Sequence, residues 1–104
     1  MMSGNGGSGA DDRLSLIGRA LGCSVRLTVL QRLAQGEASV SELTSHTGVT
    51  QPNMSNHLAV LRSAGLVTCR RLGRVVRYRL ASPEAADLVH GLTRFATSER
   101  PAPQ

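Results

Sequence analysis

Gln51, Asn53, Ser55, Asn56 and His57 fall within one short stretch, and all are compact polar side chains. Asn and Gln carry a donor beside an acceptor, which suits bidentate pairing with adenine in the major groove; Ser reaches bases or phosphates. His57 has two readings: a phosphate ligand, or a structural histidine, since it borders an apolar stripe. Downstream, Arg70, Arg71, Arg74, Arg77 and Arg79 crowd together. Arg74 and Arg77 are candidates for phosphate or minor-groove contact. Arg70, Arg71 and Arg79 alternate with apolar positions, so some of them must face away from a ligand.

Charge points the same way. From Leu43 to Pro83 there are six arginines and no Asp or Glu, a charge of +6. The rest of the chain has six arginines and seven acids, or −1. Such concentration is an electrostatic footprint for a polyanion, against the blander reading of a solvated basic face. With one Phe, one Tyr and no Trp, there is little to stack RNA bases on. No glycine-rich phosphate loop, nucleophile elbow, paired carboxylates or Ser/His/Asp set appears, so an enzyme is not expected.

These residues need elements to hold them. Ser41 to Thr47 reads as a short helix, with Ser41 or Ser39 as its cap, and Gly48 supplies a tight turn. Thr50 is placed to cap a second helix, with Pro52 in its first turn. Met54, Leu58 and Leu61 recur at i, i+4 and i+7, so one face packs inward. Gly65 ends that helix as a left-handed cap. Leu66 to Leu72 and Val75 to Leu80 are rich in β-formers around Gly73, which predicts a hairpin.

Helices flank this core. Asp11 and Asp12 favour a helix start, and Leu14, Ile17 and Leu21 form its stripe until Gly22. Ser24 is the expected cap of the next helix, whose buried face is Leu27, Leu30 and Leu33/Ala34. Ser82 and Pro83 open a last helix lined by Ala85, Leu88, Val89, Leu92 and Ala96. The expected fold is mainly α, a winged helix-turn-helix of about five helices plus a two-stranded wing. Residues 1–10 read as a Gly/Ser-rich flexible tail, 11–97 as one domain and 98–104 as a second tail.

Ser55-Asn56-His57-Leu58, Leu61 and Gly65-Leu66-Val67 fill the pattern S-x-H-L-x-x-L-x-x-x-G-L-V. Gly73-Arg74-Val75-Val76-Arg77-Tyr78-Arg79-Leu80 matches G-R-x-V-x-Y-x-L. In these motifs, with the helix before them, the chain resembles the winged-helix regulators of the ArsR/SmtB family from Ile17 to Leu80. The resemblance implies a small homodimeric repressor that leaves DNA when an effector, often a metal ion, binds. It implies that the first and last helices form the dimer. Two recognition helices would then face successive major grooves roughly 34 Å apart, on an imperfect palindrome of double-stranded operator DNA. The family often reads Asp-Pro-Thr-Arg before its second helix; Gly22-Cys23-Ser24-Val25-Arg26 keeps the arginine alone.

The family's metal ligands are mostly absent. Val40 to Leu43 holds no Cys-x-Cys, and Ala59, Val60 and Ser63 stand where some members place cysteines. Of Ser82, Glu84, Phe95 and Ser98, at the family's last-helix positions, Glu84 alone could ligate. A different set, Glu84, Asp87 and His90, offers O/O/N donors at i, i+3 and i+6 for a divalent ion such as nickel or zinc, against an ordinary solvated face. Cys23 beside a helix N-terminus could serve a redox switch, against the commoner role of an inert small hydrophobe. A co-regulator protein is a further route for the signal, and a protein-interaction module is the alternative function, although that would call for an exposed apolar patch at the polar face.

Two cysteines 46 positions apart make no disulfide framework, no run of roughly 20 apolar residues is present, and the first ten residues lack the marks of a signal peptide. A cytoplasmic protein without a membrane span is expected.

Overall fold

Glycines and short polar caps divide the chain into its elements. The computed structural model describes residues 9–98. Helices α1 (Gly9–Leu21) and α2 (Ser24–Leu33) lead through strand β1 (Ala38–Ser39) to α3 (Val40–Thr47) and α4 (Gln51–Ser63). Strands β2 (Val67–Leu72) and β3 (Val75–Leu80) follow, and α5 (Pro83–Thr97) closes the described chain. The fold is a winged helix-turn-helix, with five helices among the described residues.

Ser39, of the two serines considered, caps α3. Its hydroxyl accepts the Glu42 N–H, while Glu42 accepts the Ser39 N–H, a reciprocal capping box. Gly48 ends α3 at φ 77°, a left-handed conformation that costs glycine little. Thr50 caps α4, and its hydroxyl accepts from the Asn53 N–H at 3.4 Å. Gly65, also at φ 77°, ends α4; the Leu66 N–H reaches back to the Leu61 carbonyl. Ser82 caps α5 through the Ala85 N–H.

Three local expectations are corrected. Cys23, not Ser24, occupies the cap position of α2, and no side chain caps that end. Helix α1 starts at Gly9, so Gly9 and Ala10 belong to it and not to a tail. The remaining tail residues expected at 1–8 and 99–104 lie outside the described residues. The wing is also one strand larger than expected. The sheet runs β1-β3-β2, all antiparallel, with Ala38 opposite Tyr78 and Ser39 opposite Arg77. A two-residue strand has no alternation to read; it forms because β3 offers an open edge.

Leu30, Leu43, Met54, Leu58, Leu61 and Val29 are fully buried, so the inward face of α4 packs as its spacing predicts. Ala20, Leu33, Ala64, Leu66, Val67 and Val89 extend this core under the sheet and α5.

Candidate nucleic-acid interface

Burial of Met54, Leu58 and Leu61 forces the opposite face of α4 outward. Gln51, Asn53, Ser55 and Asn56 are all exposed there, near the helix N-terminus, with Ala59 and Arg62 continuing along it. The positive end of the helix dipole lies at the same end, where Pro52 has no N–H and Thr50 takes that of Asn53. The result is a polar, anion-favouring helix tip with no charged carboxylate on it.

His57 is set apart from these four. It is half-buried, and Arg26 Nη1 lies 3.2 Å from its Nδ1. This contact favours the structural reading of His57 over the phosphate ligand.

The wing divides its arginines by strand register. Arg70 stands opposite Arg77, and Arg79 shares their face two residues along β3. Like charges placed directly opposite repel, and a carboxylate offsets them here. Glu37 Oε1 lies 3.1 Å from Arg70 Nη2 and 3.5 Å from Arg77 Nε, while Oε2 is 4.0 Å from Arg79 Nη1. Arg77 Nη2 also donates to the Glu37 carbonyl at 3.2 Å and to Glu42 Oε1 at 3.4 Å. The Arg70 hydrogen bond, aided by the nearby Arg79 and Arg77 charges, holds the Glu37 carboxyl below its ordinary range. Glu42 is lowered too, chiefly by the Ser39 backbone N–H and then by Arg77.

Arg77 differs from Arg74 in being held within the protein. Two carboxylates and a carbonyl engage its guanidinium, and its side chain is 30% exposed. Arg74 keeps its role as a candidate. It follows Gly73, at φ 63°, in the two-residue turn between Leu72 and Val75. Arg74 and Arg71 are exposed, and among the described residues neither makes a hydrogen bond or ion pair. The residues missed in the sequence are Glu37 and Glu42. Glu42 had a legible signal in the Ser-x-x-Glu spacing of the capping box; Glu37 pairs with Arg70 across 33 positions and had none. Arg26 stood out as the arginine kept from the family pattern, but its contact with His57, 31 positions away, was not legible.

The other face of the sheet turns inward. Tyr78 and Cys69 are partners across the strands, both half-buried. Burial raises the Tyr78 hydroxyl above its ordinary pKa.

The expected metal set does not assemble. Glu84, Asp87 and His90 are exposed on α5, and six residues of helix turn the first and last about 120° apart. Among the described residues no group of three His, Cys, Asp or Glu side chains is placed to hold a metal ion. Cys23 is half-buried and free, and the bonds of Arg26 run to the Ala20 and Arg19 carbonyls and to His57.

An exposed polar recognition helix beside a basic wing defines a winged-helix DNA-binding protein. The model of the bacterial regulatory protein arsR family matches residues 23–68. A biofilm growth-associated repressor of Xylella fastidiosa is 42% identical over 85 residues, 81% of this chain and 75% of that protein. A probable mercury resistance operon repressor of Streptomyces lividans is 42% identical over 71 residues, 68% of this chain and 57% of that one. The solution structure of a homodimeric winged helix-turn-helix DNA-binding domain from Mycobacterium bovis superposes with a TM-score of 0.81 at 35% identity, covering 91% of this chain and 90% of that one. This chain belongs to the arsR family and is a DNA-binding transcriptional regulator.

Proposed function

We propose that the chain acts in the cytoplasm as a homodimeric repressor that reads a palindromic operator through paired α4 helices. The observation that carries this is the exposed row Gln51, Asn53, Ser55 and Asn56 beside the uncommitted Arg74. An apolar surface on α5 supports the dimer: Leu88 and Leu92 are each 37% exposed and Phe95 is 82% exposed. In a dimer the two α4 helices face successive major grooves roughly 34 Å apart. The related proteins named as repressors favour repression over activation.

The effector belongs to the same proposal. Among the described residues one protomer does not bring three ligands together, so nickel or zinc would draw donors from two copies, with Glu84, Asp87 and His90 as this chain's contribution. Fluorescence anisotropy on a duplex from the chain's own upstream region tests both parts. Salt-sensitive binding that one ion weakens, with ion binding lost in His90→Ala, supports a metal-released repressor. Binding indifferent to nickel, zinc and cobalt removes the metal and leaves the repressor. No preference over a scrambled duplex removes the operator reading.

A further inference from the structure

Arg26, the arginine kept from the family pattern, makes three bonds. Its Nε donates to the Ala20 carbonyl at 2.7 Å and its Nη2 to the Arg19 carbonyl at 3.1 Å. Both carbonyls lie in the last turn of α1, where helix carbonyls lack intrahelical partners and attract cations. Its third bond, from Nη1, reaches His57 Nδ1 at 3.2 Å on α4. One planar guanidinium thus joins the end of α1, the first turn of α2 and the middle of the recognition helix. Because guanidinium donates only, a hydrogen bond here requires Nδ1 as the accepting nitrogen, the tautomer of a neutral imidazole with its proton on Nε2.

We propose that Arg26 is a positioning residue for DNA recognition, holding α4 in its reading orientation through neutral His57. Protonating His57 removes the acceptor and sets a second cation against Arg26. The docked orientation of α4 therefore weakens once His57 is protonated. A His57 that bound phosphate would behave oppositely, since its protonation would tighten DNA binding. The sign of the pH effect separates the two roles.

Other groups on the elements packed against α4 are accounted for. From α1, Arg13 reaches the far end of α4 at the Ala64 carbonyl, and Asp11 and Asp12 sit at the opposite end of α1 from the Arg26 bonds. Arg19 contributes its carbonyl. On α2, Cys23 is the cap residue and Arg32 donates to the Gly36 carbonyl. On α3, Glu42 is held by Ser39 and Arg77, and His46 is exposed. On β2, Arg70 is paired with Glu37, Arg71 is exposed and Cys69 faces Tyr78; on α4 itself Arg62 lies further along the helix. His46 and His90 also carry imidazoles, so the wild-type curve is compared with that of His57→Gln, which puts an uncharged acceptor in place of the imidazole.

The test uses the full chain and a labelled duplex enriched from a randomised library against the wild type. Expected is a wild-type affinity about tenfold weaker at about pH 6 than at about pH 8. His57→Gln should match the wild type within about threefold at about pH 8 and lose that acid-side fall. Arg26→Gln, its fold checked by circular dichroism, should bind about fivefold more weakly with an unchanged salt slope, since no phosphate contact is lost. Tighter wild-type binding on acidification, an acid-side fall retained in His57→Gln, or a shallower salt slope in Arg26→Gln would each overturn the proposal. The inference rests on DNA binding through α4. Absence of any wild-type binding at the upper pH removes that interface along with the proposal, whereas binding without the pH pattern overturns the proposal alone.

Discussion

Arg74 and Arg77 sit three positions apart in one basic motif, yet their surroundings differ. Arg74 projects from the wing turn with no partner among the described residues, so Arg74→Ala should weaken binding to every sequence alike. Its salt slope should fall by about one for each lost phosphate contact, and an unchanged slope in an anisotropy series would remove Arg74 from the interface. Arg77 spends its donors on Glu37 and Glu42. The same Glu37 engages Arg70 and Arg79, so Glu37→Gln should release basic charge on the outer sheet face. The expected result is tighter binding to nonspecific duplex and a steeper salt slope; an unaltered slope would show that this face never meets DNA. The pH sign follows from the lowered Glu37 carboxyl. Its pairing is fully present above the ordinary value of 4.5 and is lost as pH falls through the lower folded value.

At the scale of elements, the recognition helix depends on its two ends. Thr50→Ala removes the hydroxyl that accepts from the Asn53 N–H and should cost about 1 kcal/mol in urea unfolding. Gly65→Ala should cost about 1 kcal/mol from its left-handed backbone, as should Gly48→Ala. The two sites differ in what surrounds them. A Cβ at Gly48 meets nothing within 4 Å, whereas one at Gly65 would lie 2.6 Å from Arg13 Nη2 and displace the guanidinium that reaches the Ala64 carbonyl. Gly65→Ala should therefore couple to Arg13→Ala in a double-mutant cycle, and Gly48→Ala should not. These caps were readable in advance because capping chemistry is local. The β1 strand was not, because Ala38 and Ser39 become a strand only when β3 lies beside them.

Across the whole molecule, α5 is amphipathic in two directions. Ala85 and Val89 bury into the protomer's own core, while Leu88, Leu92 and Phe95 remain at the surface. Phe95→Glu should leave the protomer folded, since the side chain it replaces is 82% exposed. It should also halve the mass in light scattering and greatly weaken operator binding, because each half-site would then be bound alone. A dimeric mass in that variant would move the interface away from Phe95.

The sequence by itself determined the helix-turn-helix, the caps at Thr50 and Ser82, the hairpin around Gly73 and the exposed polar face of α4. All of these follow from contacts within a few residues and from the period of one apolar stripe. Tertiary structure alone decided which wing arginines are paired with carboxylates. Glu37 lies 33 positions from Arg70, and Arg26 lies 31 from His57, so only the folded packing brings each charge to its partner. The spread of Glu84, Asp87 and His90 around α5 follows from helix spacing, but only the packing of neighbouring elements decided that, among the described residues, no set of three donors converges.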